Sequence, residues 1–125
     1  MRSKRSSAVI GVVDDDESVR MAISSSLRSA NWKAIAYSSA SHLLGDTHRS
    51  ELKLVTADIH MPGMDGFALL ESIKLWEQPV PVIFITAFAT ADLIARANAG
   101  GAAGFFSKPV DDARLLALIG DILRK

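Results

Sequence analysis

The sequence predicts an α/β sandwich built on a five-stranded parallel sheet, and three observations predict it. Five short apolar blocks alternate with segments of helical spacing. Most blocks are apolar throughout, as strands covered on both faces require. The unusual polar residues recur just after the blocks, and a parallel sheet gathers all such positions on one edge.

The first strand is expected over residues 8–13, ending in the acidic turn Asp14-Asp15-Asp16-Glu17. Residues 18–30 follow as a helix with Val19, Ile23 and Leu27 at i, i+4 and i+8. Lys33–Tyr37 is the second strand and residues 40–45 a short helix. Leu52–Ala57 is the third strand, followed by a helix over residues 65–76 that carries Phe67, Leu70 and Ile73 on one side. Residues 80–85 form the fourth strand, Ala91–Ala99 a short helix and residues 104–106 the fifth strand. Asp112–Leu123 closes the chain as a helix whose Leu115, Leu116, Leu118, Ile119, Ile122 and Leu123 span about 160°. That arc exceeds the ~100° stripe a core-facing helix needs. It reads first as a well-buried helix, and otherwise as a face for homodimerisation or for an output domain. The doubly wound, three-layer, flavodoxin-like arrangement of five such units has strand order 2-1-3-4-5 and right-handed crossovers.

Composition narrows the function. The chain has 125 residues, 49% hydrophobic and 22% charged, which suits one globular domain with a core. Fourteen Lys+Arg balance fourteen Asp+Glu, so no global field draws it to nucleic acid or to an anionic membrane. The absence of Cys removes disulfides, thiolate zinc sites and cysteine nucleophiles. No apolar run approaches the ~18 residues of a membrane span. Residues 1–7 are basic and Ser-rich, but the apolar run behind them is short and ends in acids, unlike a signal peptide. The expectation is a flexible tail at 1–7 and a single cytoplasmic domain at 8–125, with no membrane partner.

With strands about 4.8 Å apart, the predicted order sets Asp58, after strand 3, beside the pair Asp14 and Asp15 on one side and Thr86 on the other. Lys108, after strand 5, starts about 10 Å from Asp58, a gap its side chain can largely cross. Three close carboxylates raise one another's pKa, and a hard divalent cation such as Mg²⁺ relieves them with oxygen ligands alone. Lys108 adds charge for phosphate oxygens and Thr86 a hydroxyl donor. The set suits phosphoryl transfer with Asp58 as nucleophile. Singly, each residue has a plainer role: acids cap a helix, a Thr closes a strand, a Lys before Pro sits in a turn. Capping does not account for all four strand ends at once.

These residues sit in Val12-Val13-Asp14-Asp15-Asp16-Glu17-Ser18-Val19-Arg20, Ala57-Asp58-Ile59-His60-Met61-Pro62-Gly63-Met64-Asp65-Gly66, Phe84-Ile85-Thr86-Ala87 and Gly104-Phe105-Phe106-Ser107-Lys108-Pro109. Over nearly its whole length the chain resembles the receiver domain of two-component response regulators, most of all those that precede a LuxR-type helix-turn-helix output domain. The resemblance implies that a sensor histidine kinase or phosphotransfer protein donates phosphoryl to Asp58. It implies Mg²⁺ held by Asp15, Asp58 and the carbonyl of His60, with Asp14 assisting through water. Thr86 and Lys108 would contact the phosphoryl oxygens, and Lys108-Pro109 would be cis. Phe105 falls at the position of the switch aromatic that turns as Thr86 moves, altering the surface of the fourth helix, fifth strand and fifth helix. Control of transcription and homodimerisation on activation are the implied outputs, with no direct nucleic-acid binding by this domain. The domain is then no metabolic enzyme, since it catalyses only its own phosphorylation and dephosphorylation.

Two departures from the family pattern bear on the lifetime of the phosphoryl group. His60 is expected to ligate through its backbone with its imidazole facing solvent, a side-chain effect on hydrolysis being the alternative. Phe88, where polar residues are frequent, would screen the acyl phosphate from water. Met61, Met64 and Phe67 read as turn and core packing, and His42 and His48 as solvated. Two rival functions stand beside the receiver. One is a haloacid-dehalogenase-like phosphatase using the Asp14-Asp15-Asp16 run, for which the chain lacks room for a cap. The other is a phosphorylation-independent interaction module on the same scaffold.

Overall fold

The computed structural model describes residues 8–124. The tail expected at residues 1–7 lies outside the described residues. The sheet contains β1 (Val9–Val13), β2 (Lys33–Tyr37), β3 (Leu52–Ala57), β4 (Val82–Thr86) and β5 (Gly104–Ser107) in the order β2-β1-β3-β4-β5, every pairing parallel. The predicted topology is the observed one. The helices are α1 (Glu17–Ser29), α2 (Ala40–Leu44), α3 (Gly66–Lys74), α4 (Ala91–Ala99) and α5 (Asp112–Leu123), with a 3₁₀ turn at Arg49–Glu51 that the sequence reading did not contain. No helix among the described residues is long and apolar enough to cross a membrane.

Side-chain alternation divides the core into two layers. Ile10, Val12, Leu54, Ile83 and Ile85 point to one face, where Ile23 and Leu27 of α1 and Leu115 and Ile119 of α5 cover them. Val13, Val55, Ala57, Val82 and Phe84 point to the other, under Leu43 of α2, Leu69, Leu70 and Ile73 of α3 and Ala97 of α4. Each fully buried Leu or Ile contributes about 1.5–3 kcal/mol of transfer free energy, so both layers contribute to holding the helices on the sheet.

Several boundaries differ from the sequence reading, each for a local reason. β4 starts at Val82, because Pro81 has no N–H to give a ladder and serves β3 only as the acceptor from the Val55 amide at 2.9 Å. It ends one residue late, taking in Thr86 opposite Ser107. Asp16, Ser39, Asp65, Thr90 and Asp111 each accept a first-turn amide and stand outside their helices as N-caps, which is why α3 begins after Asp65. α3 also ends at Lys74, short of the expected Trp76. β2 and β5 are the edge strands: Lys33 and Ala36 of β2 and Ser107 of β5 are exposed, so neither is covered throughout as β1 and β4 nearly are. Within β3, Lys53 is exposed because the register shifts there, Val9 pairing Leu52 and Ile10 pairing Leu54.

On α5 only Leu115 and Ile119 are fully buried. Leu116, Leu118, Ile122 and Leu123 pack against the core from half-buried positions, so the wide arc is a helix buried at its centre and open at its flanks. Met61 and Phe67 are buried and Met64 partly so, in the packing role expected of them. His42 and His48 are exposed, as expected.

Candidate phosphoacceptor site

Because every strand runs the same way, the carboxyl ends of β1, β3, β4 and β5 share one edge, and Asp14, Asp58, Thr86 and Lys108 arrive there from separate parts of the chain. Asp14, Asp15 and Asp58 each offer a carboxylate oxygen, all within 4.8 Å of one another. Asp14 and Asp58 are buried and Asp15 is exposed. The acidic run thus divides its labour: Asp16 alone caps α1, accepting from the Ser18 amide at 2.8 Å and the Val19 amide at 3.3 Å. Asp14 and Asp15 are left for other work.

Lys108 joins the two buried acids. Its Nζ lies 2.9 Å from Asp14 Oδ2 and 3.0 Å from Asp58 Oδ2. The side chain reaches past Asp58 to the next strand, further than the strand spacing alone suggested. Its backbone amide donates to the Thr86 carbonyl at 2.9 Å, which extends the β4–β5 ladder by one residue and holds the base of the side chain against the end of β4. The Lys108-Pro109 peptide is cis, as the resemblance implied. The backbone of β3 is tied in as well, since the Asp58 amide donates to the Val13 carbonyl at 3.1 Å and the His60 amide to Asp58 Oδ1 at 3.3 Å.

Burial pushes the Asp14 pKa up, and the Asp16 amide and Lys108 only partly offset it. For Lys108, burial pulls the pKa down, but the hydrogen bonds and charges of Asp14 and Asp58 outweigh it and the pKa ends above its ordinary value. The lysine is therefore fully protonated at neutral pH. Hard oxygen donors in a tight group, two buried and one exposed, with Lys108 as the ammonium paired to them among the described residues, fit Mg²⁺ better than any softer ion.

Thr86 is fully buried and among the described residues its Oγ1 has no hydrogen-bond partner, an expensive state for a hydroxyl at the edge of this cluster. Phe105 pairs with Phe84 across β4 and β5 and packs half-buried against the core. It is not the exposed apolar spot that a Phe at this position would otherwise leave. His60 is exposed, and its ring lies edge-on to Phe88 at 6.4 Å. Phe88 is 71% exposed, so any screening it provides comes from the rim of the site.

Two residues that shape this edge were not singled out from the sequence. Gly66 opens α3 with its amide on the Ile59 carbonyl at 2.8 Å, so close that a Cβ would stand 2.5 Å from the Asp58 carbonyl oxygen. Arg20 turns back from α1 to donate to the Asp14 carbonyl at 2.7 Å. A glycine directly after a capping Asp and a cation in a first helical turn are the signals that could have found them.

The comparisons agree with this geometry. The family described as the response regulator receiver domain matches residues 10–120. The response regulator protein TodT of Pseudomonas putida is 34% identical over 117 residues, 94% of this chain and 52% of TodT. The transcriptional regulatory protein FixJ of Bradyrhizobium diazoefficiens is 32% identical over 116 residues, 93% of this chain and 57% of FixJ. The chain thus spans about half the length of these curated relatives. In fold it is similar to the chemotaxis protein CheY4 of Vibrio cholerae, with a TM-score of 0.85 at 23% identity over 93% of this chain and 98% of that one. Neither the phosphatase nor the scaffold-only alternative finds support here, and the chain belongs to the receiver domain family of two-component response regulators.

Proposed function

We propose that residues 8–125 form a cytoplasmic receiver that accepts a phosphoryl group on Asp58 from the phosphohistidine of a sensor histidine kinase or phosphotransfer protein. A carboxylate oxygen of Asp58 attacks phosphorus, the phosphorus–nitrogen bond breaks, and its electron pair leaves with the donor imidazole. Asp14, Asp15, Asp58 and the carbonyl of His60 are the groups that would hold Mg²⁺, Asp14 through water. When bound, the ion supplies positive charge for the phosphoryl oxygens. The Lys108 ammonium adds a second charge by passing from Asp58 to the phosphoryl group. The buried Thr86 hydroxyl gains the acceptor it lacks, and Phe105 follows it inward. The surface of α4, β5 and α5 then changes, and with it the output.

The observation that carries this reading is the cluster itself: three carboxylates within 4.8 Å and a lysine bridging two of them at 2.9 and 3.0 Å. A relative named as a transcriptional regulatory protein supports transcription as the output; a LuxR-type output domain and homodimerisation on activation belong to the same proposal. The half-buried leucines of α5 suit such a contact.

Intact mass tests the chemistry after incubation with Mg²⁺ and acetyl phosphate. One added phosphoryl group is expected, lost in Asp58→Asn and with a chelator. Its decay is expected to quicken in Phe88→Asn. An adduct that survives Asp58→Asn would overturn the assignment of the acceptor, and unchanged decay would remove Phe88 from it.

A further inference from the structure

Every polar atom of Asp14 is held. Its amide donates to the Tyr37 carbonyl at 3.2 Å, its Oδ1 accepts the Asp16 amide at 2.9 Å, and its Oδ2 faces Lys108 at 2.9 Å. The fourth contact is the Arg20 Nη1 on its carbonyl oxygen at 2.7 Å, the shortest of the set. That carbonyl is where the chain leaves β1 and turns through Asp15 to the α1 cap at Asp16.

The arginine is oddly placed for any other purpose. It is the fourth residue of α1, and a cation in the first turn meets the positive end of the helix dipole, which disfavours it there. Asp14, Asp15, Asp16 and Glu17 all lie within reach of its stem in sequence, yet among the described residues it pairs with none of their carboxylates. Instead its planar donor is spent on a backbone oxygen. A bond of that kind fixes where the next peptide goes, and the next residue is Asp15, the one exposed member of the carboxylate group.

We propose that Arg20 is a positioning residue for the cation site. By clamping the Asp14 carbonyl it sets the path of the β1–α1 turn and so aims the Asp15 carboxylate at Asp14 and Asp58. The inference rests on the Mg²⁺ reading above and adds a residue to it. It also opposes what charge alone predicts. A guanidinium beside the acids repels a divalent ion, so an Arg20 acting only through its charge would weaken binding, and its removal would strengthen it.

The two roles therefore differ in sign. Mg²⁺ binding to the intact chain is measured by calorimetry, with no phosphoryl donor, for the parent, Arg20→Ala and Arg20→Lys. Removing a group that orients a ligand commonly costs 10–100-fold in metal affinity; with the charge effect working against it, Arg20→Ala is expected to bind about three- to tenfold more weakly. Amide exchange at Asp15 and Asp16 is expected to quicken in the same variant, and Arg20→Lys, which keeps a donor, to recover part of both losses. Arg20 is partly exposed and both variants retain the Asp16 cap, so each should fold. Unchanged or tighter Mg²⁺ binding in Arg20→Ala overturns the proposal. A parent chain that binds no Mg²⁺ overturns the underlying reading instead, and the two failures are distinct.

Discussion

Replacing Lys108 with Met leaves two buried carboxylates without their shared counter-charge. The side chains of Asp14 and Asp58 are only 2% and 9% exposed, and that of Lys108 is 19% exposed. Truncating one partner of a buried, hydrogen-bonded charge pair costs about 2–5 kcal/mol. The partial exposure of Lys108, and the freedom of a carboxylate to take up a proton, put this case near the lower end, at about 2 kcal/mol at pH 7. For 125 residues the unfolding entropy is roughly 0.26 kcal/mol/K, so Tm should fall by about 8 °C in a chelating buffer. The pH dependence gives the sharper check. Lys108 has a folded pKa raised above 10.5, so the stability it contributes is complete below that value and is lost as pH rises through the folded one. The Asp14 pKa is raised too, so lowering the pH discharges it early and relieves the mutant of one unpaired charge. The deficit of Lys108→Met should therefore shrink between pH 7 and about pH 4. A Tm unchanged at pH 7, or a deficit of equal size at both values, would refute the view that charge neutralisation is what Lys108 does for the fold.

The same cluster predicts an effect of opposite sign. Asp14→Asn keeps an acceptor for the Asp16 amide and removes the charge that burial penalises more than Lys108 rewards it, so urea unfolding at pH 7 should show a net gain in stability. Since the raised pKa makes the parent relatively more stable at low pH, that gain should fade on acidification. Gly66→Ala drives a methyl to 2.5 Å from the Asp58 carbonyl oxygen and 2.8 Å from the Ile59 Cα, both backbone atoms. It should cost about 2 kcal/mol in denaturant melts and weaken Mg²⁺ binding, because α3 must back away from the loop that carries Asp58. Tyr37→Phe breaks the 2.6 Å bond to Asp46. Tyr37 titrates above its ordinary value because of burial and Asp46, so the parent should lose stability as pH rises past 10 while the variant lacks that limb. Asp46, held below its ordinary value by the Tyr37 hydroxyl, contributes stability above about pH 3.8 that is lost on acidification, and this too should be reduced in the variant.

The fold was legible because parallel strands and their covering helices are written in apolar periodicity, which Ile10, Val12, Leu54, Ile83 and Ile85 carry on one face and Val13, Val55 and Phe84 on the other. Once strand order is known, the grouping of Asp14, Asp58, Thr86 and Lys108 follows from topology alone. What sequence spacing did not give is whatever depends on where a side chain or a backbone oxygen points. The division of the acidic run into one cap and two cluster members is of this kind. So are the reach of Lys108 to a second strand, the half-buried packing of Phe105, and the contacts of Arg20 and Gly66 with backbone carbonyls. A carbonyl has no residue type of its own, so a residue that serves one leaves no motif behind.

A cavity of about 560 Å³ lies away from the carboxylate edge. It opens at the other end of the sheet, between Leu52 and Lys53 at the start of β3 and the segment from Trp76 to Pro81 before β4, with the Arg49 guanidinium 5.2 Å from the Trp76 ring. The chemistry proposed for the carboxylate edge needs no deep hollow. A phosphoryl group arriving on the side chain of another macromolecule must be met at an open surface, where a deep pocket would exclude its carrier. Specific recognition of the rest of the donor then falls to the protein surface around the site. The edge itself has only to hold charge in place, and it does so with two carboxylates kept buried at a cost, a lysine that offsets them, and a hydroxyl left without a partner.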